Sequence, residues 1–71
     1  MRSAEDQSFN NINFVTHPVE WKEFEYCQFN HCNFAGVNLS NFRLVECHFQ
    51  DCDFSNAKLN STTLNDARFT N

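Results

Sequence analysis

Four cysteines and three histidines have the greatest chemical reach in this chain of 71 residues. Thiolates and imidazoles ligate zinc, and a thiol beside an imidazole is a nucleophile. Cys27, Cys32, Cys47 and Cys52 are separated by four, fourteen and four residues. Structural zinc sites use closer pairs, so this spacing does not suit them. The histidines, His17, His31 and His48, form no catalytic set with a nucleophile. A phosphate-cradling loop needs several glycines, and Gly36 is the only one. The expectation is no enzyme, no metal and no cofactor.

The cysteines instead belong to a repeat. "CQFNHCNF" at 27–34 returns as "CHFQDCDF" at 47–54. Every fifth residue from Phe9 is large and apolar: Phe9, Phe14, Val19, Phe24, Phe29, Phe34, Leu39, Leu44, Phe49, Phe54, Leu59, Leu64 and Phe69. A period of five fits neither the 3.6-residue helix nor the two-residue strand. Two residues earlier runs a series of small or medium size: Cys27, Cys32, Val37, Phe42, Cys47, Cys52, Ala57, Thr62 and Ala67. A step of two keeps both side chains on one face, as in a strand. A step of three implies a corner that absorbs the extra residue. The remaining positions are mostly polar and face water.

Arranged by twenty, the large residues form columns. Phe9, Phe29, Phe49 and Phe69 make one, and Phe14, Phe34 and Phe54 the next. Val19, Leu39 and Leu59 make a third, and Phe24, Leu44 and Leu64 a fourth. This predicts coils of four five-residue sides, stacked about 4.8 Å apart. The four thiols then point inward as small hydrophobes, Cys27 over Cys47 and Cys32 over Cys52. Inward thiols cannot reach outward histidines. His31 pairs with Asp51 at an outer corner, and Glu23 stacks with Arg43.

The stretches "CNFAGVNL", "CDFSNAKL" and "NSTTLNDARF" resemble the pentapeptide-repeat proteins, whose repeat is approximately A-[D/N]-L-x-x. The resemblance covers residues 22–71 and extends over 7–16. It implies an all-β fold, a right-handed quadrilateral β-helix of about three coils. "CQFNHCNFAGVNL" is similar to the early coils of the quinolone-resistance group of that family. That group resembles duplex DNA in size and charge and binds DNA gyrase or topoisomerase IV in its place. Its members are longer rods, several with protruding loops.

Residues 1–6 read as a polar N-terminal tail or cap, and 7–71 as the β-helix, with an irregular side or short bulge at 17–23. There, His17 and Lys22 occupy small-residue positions and Pro18 cannot donate a backbone hydrogen bond. Trp21 is expected to fold over this side. Phe42, a ring at a small-residue position, fills space the irregular side leaves. At Phe69-Thr70-Asn71 the sequence stops one side into a new coil. An end-to-end homodimer through the C-terminal coil and a fragment of a longer stack are equal expectations.

The formal charge of −4 disfavours direct nucleic-acid or membrane binding. The polar "MRSAEDQ" start lacks a signal peptide's apolar stretch, so the expected location is cytoplasmic and the cysteines reduced. Glu25, Glu46 and Asp66 fall on one corner with Tyr26 beside them, and Glu5 and Asp6 join if the N-terminus keeps register. This is the candidate partner-binding site. The leading expectation is a non-catalytic module for protein binding or scaffolding. The second is a DNA-mimicking ligand of a type II topoisomerase. The third is a truncated or designed scaffold without a natural function.

Overall fold

The computed structural model describes residues 3–70. Met1, Arg2 and Asn71, the ends of the expected tail and β-helix, lie outside the described residues. Strands β1 (Ala4–Glu5), β2 (Ser8–Asn10), β3 (Glu23–Glu25), β4 (Gln28–Asn30), β5 (Arg43–Val45), β6 (His48–Gln50) and β7 (Arg68–Thr70) make two parallel sheets. One sheet has the order β1-β3-β5, the other β2-β4-β6-β7. Every pairing joins residues twenty apart, such as Phe9 with Phe29 and Phe29 with Phe49. Single bridges continue the same register on the other two sides: Asn13, Asn33 and Asp53 on one, Asn38 and Lys58 on the other. The molecule is a β-solenoid of about three turns.

Column stacking explains the register. The Phe9–Phe29, Phe29–Phe49 and Phe49–Phe69 ring centroids lie 4.9, 4.7 and 4.9 Å apart, with planes within 14°. Phe14–Phe34 and Phe34–Phe54 repeat this at 4.7 and 4.9 Å. These separations match the spacing of neighbouring strands, so ring stacking and the backbone ladder favour one alignment. Neighbouring columns meet edge to face, as Phe29 meets Phe34 at 5.6 Å and 67°.

Two devices turn the chain. Two residues after each regular large position, the backbone is left-handed, as at Asn11, Gly36, Asn41, Asp51 and Asn56. This conformation costs an ordinary side chain about 1–2 kcal/mol, which Gly avoids and Asn or Asp reduces. Each such corner still donates to the next coil, as Asn11 N–H does to the Asn30 carbonyl at 2.9 Å. At Asn13, Asn33, Asn38 and Asp53, each just before a large residue, the side chain accepts from the backbone two residues on. Asn33 Oδ1 takes the Ala35 N–H at 2.9 Å, Asn38 that of Ser40 at 3.0 Å, and Asp53 that of Ser55 at 2.9 Å. A reverse hydrogen bond such as Val37 N–H to the Phe34 carbonyl, with Gly36 left-handed, makes the turns after Asn33, Asn38 and Asp53 type II.

Among the described residues, coil register is first seen at Ala4, which pairs with Phe24. Ala4–Asp6 belong to the segment read from sequence as a polar tail or cap with its register open; Ala4 and Glu5 pair with β3, and the Asp6 N–H donates to the Glu25 carbonyl at 3.0 Å. The fourth side of this first coil is irregular: Val19 packs against the core, but among the described residues no bridge joins this side to Asn38. After Phe14 the Thr16 and His17 N–H groups both bond the Asn13 carbonyl, and Pro18 has no N–H to offer. The ladder resumes when the Lys22 carbonyl accepts from Arg43 N–H at 2.8 Å. Thr16 and Trp21 hold corner positions without left-handed backbone. The Trp21 ring lies 6.4 Å from Phe9 and 6.2 Å from Phe24. Phe42 is buried beside Val19 and Phe14, its ring 6.5 Å from that of Phe24.

The core runs through Phe14, Phe24, Phe29, Phe34, Leu39, Leu44 and Phe49 with Cys27, Cys32 and Cys47, and Phe9, Cys52 and Phe54 pack against it partly buried. Leu59, Leu64 and Phe69 keep inward register but stand 39%, 38% and 49% exposed, because no coil among the described residues covers them.

Candidate functional site

The corners place side chains on the outside of the coil. Successive coils put Asp6, Tyr26, Glu46 and Asp66 at one corner, all left-handed. The adjoining strand ends hold Glu5 and Glu25 in register. The sequence reading treats these as one stripe, whereas they are two neighbouring columns. Glu25 belongs to the strand column, and Glu46 and Asp66 to the corner itself. Tyr26 is 54% exposed among them. Its hydroxyl pKa is pushed up, first by a hydrogen bond to the Glu46 carboxylate and by that group's charge, with lesser contributions from burial, Glu25 and Asp6. Such an edge can hold cationic groups and stack one against the phenol.

Each thiol donates to the carbonyl twenty-three residues earlier. Cys27 Sγ reaches the Ala4 oxygen at 3.3 Å, Cys32 that of Phe9 at 3.4 Å, Cys47 that of Phe24 at 3.4 Å and Cys52 that of Phe29 at 3.2 Å. Thr62 Oγ1 does the same to the Leu39 oxygen at 2.7 Å. The inward small position thus suits a short side chain with a donor. Burial raises the pKa of all four thiols, that of Cys47 to about 11. A protonated buried thiol is a poor nucleophile and ligand. Among the described residues, no three or more His, Cys, Asp or Glu side chains are grouped to hold a metal ion.

The histidines act on the outer surface. His31 Nε2 lies 3.8 Å from Asp51 Oδ2, an exposed pair worth little to stability. His48 Nε2 meets Thr70 Oγ1 at 3.1 Å. Glu23 and Arg43 are register partners, yet they form no ion pair, and His31–Asp51 is the one such pair among the described residues.

No curated protein matches the chain. The family pattern described as "Pentapeptide repeat region" matches residues 22–71, the span from the end of the irregular segment onward. This family is generally non-enzymatic. Its five-residue repeat accounts for the inward large series, the small donor series and the four-sided coil, and the chain belongs to the pentapeptide-repeat family.

Proposed function

We propose that the chain is a non-catalytic binding module whose acidic corner docks into a basic groove on a protein partner. The observation that carries this reading is the occupancy of the corner. Other left-handed positions hold Asn11, His31, Asp51, Gly36, Asn56, Asn41 and Ser61, mostly residues that tolerate the conformation. The acidic corner instead holds Tyr26 and Glu46, which pay its full steric cost and sit among like charges. Folding alone favours Asn or Gly at both, so their presence supports a role in recognition.

A DNA-bound enzyme of the topoisomerase II class fits this chemistry, because its groove is built for phosphates. Along the corner, Glu46 and Asp66 are one coil, about 4.8 Å, apart, against roughly 3.4 Å per phosphate along one DNA strand. In the coil before them, the charge beside Tyr26 comes from Glu25 in the neighbouring column. The test is titration into a DNA gyrase supercoiling assay beside a variant with Glu25, Glu46 and Asp66 all changed to Gln. Inhibition that the variant loses supports the acidic corner and the partner. Inhibition that survives keeps the partner and rejects the corner. No inhibition at high protein concentration rejects the gyrase reading.

Exposed Leu59, Leu64 and Phe69 support a second contact, end-to-end pairing of two copies. Light scattering with Phe69→Glu tests it: the parent runs as a dimer and the variant as a monomer. A monomeric parent rejects the pairing.

A further inference from the structure

The irregular segment of the first coil borders a cleft of about 490 Å³ that the acidic corner does not use. Phe9, Phe14 and Trp21 line it, together with Ile12, Pro18, His17 and Glu20. Phe9 and Phe14 each have one face covered, by Phe29 at 4.9 Å and by Phe34 at 4.7 Å. The opposite face of Phe9, which is only partly buried, turns toward the N-terminal end of the solenoid, where no further coil lies among the described residues, while Phe14 is 9% exposed and offers only a small part of its surface. The two rings meet at 67°, and Trp21 is tilted 53° to Phe9, so three aromatic planes of different orientation surround one space.

An aromatic face carries the negative end of the ring quadrupole, and indole gives the strongest attraction to a cation. Among the described residues, no Lys or Arg lines the cleft; its one acidic residue is Glu20 and its one imidazole is His17. The net charge of −4 adds a long-range attraction of the same sign. A purely apolar guest gains the ring contacts but nothing from Glu20. We propose that this cleft is a binding site for a small organic cation of the alkylammonium class, held over Phe9, Phe14 and Trp21 and paired with Glu20. The site is independent of the acidic corner, which lies on a different part of the coil.

Trp21 is the only tryptophan of the chain, so its emission reports on the cleft directly. Choline and its uncharged carbon isostere, dimethylbutanol, are titrated separately at constant ionic strength into the full chain. The expected result is a saturable change in Trp21 emission, with choline binding roughly fivefold more tightly than the isostere. Glu20→Gln narrows that preference by roughly two- to threefold. Glu20 is exposed and outside the ladder, so this variant keeps the fold, which circular dichroism verifies. Equal binding of choline and the isostere makes the cleft merely apolar and overturns the proposal. An unchanged Trp21 signal with both probes overturns it too, as does a choline preference that Glu20→Gln leaves untouched.

Discussion

A thiol at the inward small position has two properties at once. It is narrow enough for the coil, and its Sγ satisfies a carbonyl of the preceding coil, as Cys47 does for Phe24 at 3.4 Å. Desolvation then favours the neutral form, because ionisation would place a charge among phenyl rings. Cys47 moves from the ordinary 9.0 to about 11, and the other three move in the same direction. The folded state therefore holds its proton more tightly than the unfolded state. The stability this gives is complete below pH 9.0 and is lost as pH rises toward about 11. For Cys47 the loss is about 2–3 kcal/mol. Urea midpoints measured across that interval should fall with rising pH, and Cys47→Ala should flatten the decline while lowering the midpoint at neutral pH. A midpoint independent of pH through the interval would falsify this account of the thiols.

At the scale of the element, a side is a short ladder segment and a corner, a strand on two sides and a single bridge on the other two, and the sequence distinguishes the two kinds. Asn33, Asn38 and Asp53 precede their large residue and cap a type II turn. Gln28, Arg43 and His48 hold the equivalent place on the other two sides, where no such cap forms and strands are longer. Losing a cap leaves a corner N–H to water and frees the turn. Asn33→Ala should cost about 1 kcal/mol, in line with other side-chain caps of backbone N–H groups. Gln28→Ala, on an exposed strand face, should cost less than about 0.5 kcal/mol. Thermal melts of the two variants test the contrast, and equal losses would remove the distinction between corner types. The period-five series was readable because each large side chain stacks on its copy, which forces the same residue type to return. The corner signal was harder to read, since Tyr26, His31, Glu46 and Ser61 interrupt its Asn, Asp and Gly. The register at Ala4 was left open by the sequence because a small residue stands there at a large position, where it pairs with Phe24. The Trp21 cleft is a departure from periodicity, and periodicity cannot forecast the shape of its own exceptions.

At the scale of the molecule, each coil touches only its neighbours, so stability grows with the number of complete interfaces. This makes a whole coil the natural unit of change. Residues 47–66 form one regular coil, with Cys47, Cys52, Ala57 and Thr62 at the small positions and Phe49, Phe54, Leu59 and Leu64 at the large ones. A second copy of 47–66 inserted after Asp66 keeps all columns in register, sets Phe49 upon Phe49 and covers Leu59 and Leu64, now 39% and 38% exposed. The melting temperature should rise by at least about 5 °C, since roughly 1 kcal/mol shifts a domain of this size by that much. Duplicating 27–46 instead repeats Phe42, whose ring is accommodated beside the irregular segment through Phe14, Pro18 and Val19. A second Phe42 has no such space and overfills its coil, so this insertion should gain less than the first. Inserting a copy of 47–51 alone moves every later side by one column: the copied Phe49 takes the place over Phe34, but Phe54 moves over Leu39 and Leu64 over Phe49, where it displaces the Phe69 ring that now stacks there at 4.9 Å. That chain should melt below the parent. If all three insertions melted alike, the columns would carry no more stability than the backbone ladder alone, and the stacking account of the fold would be wrong.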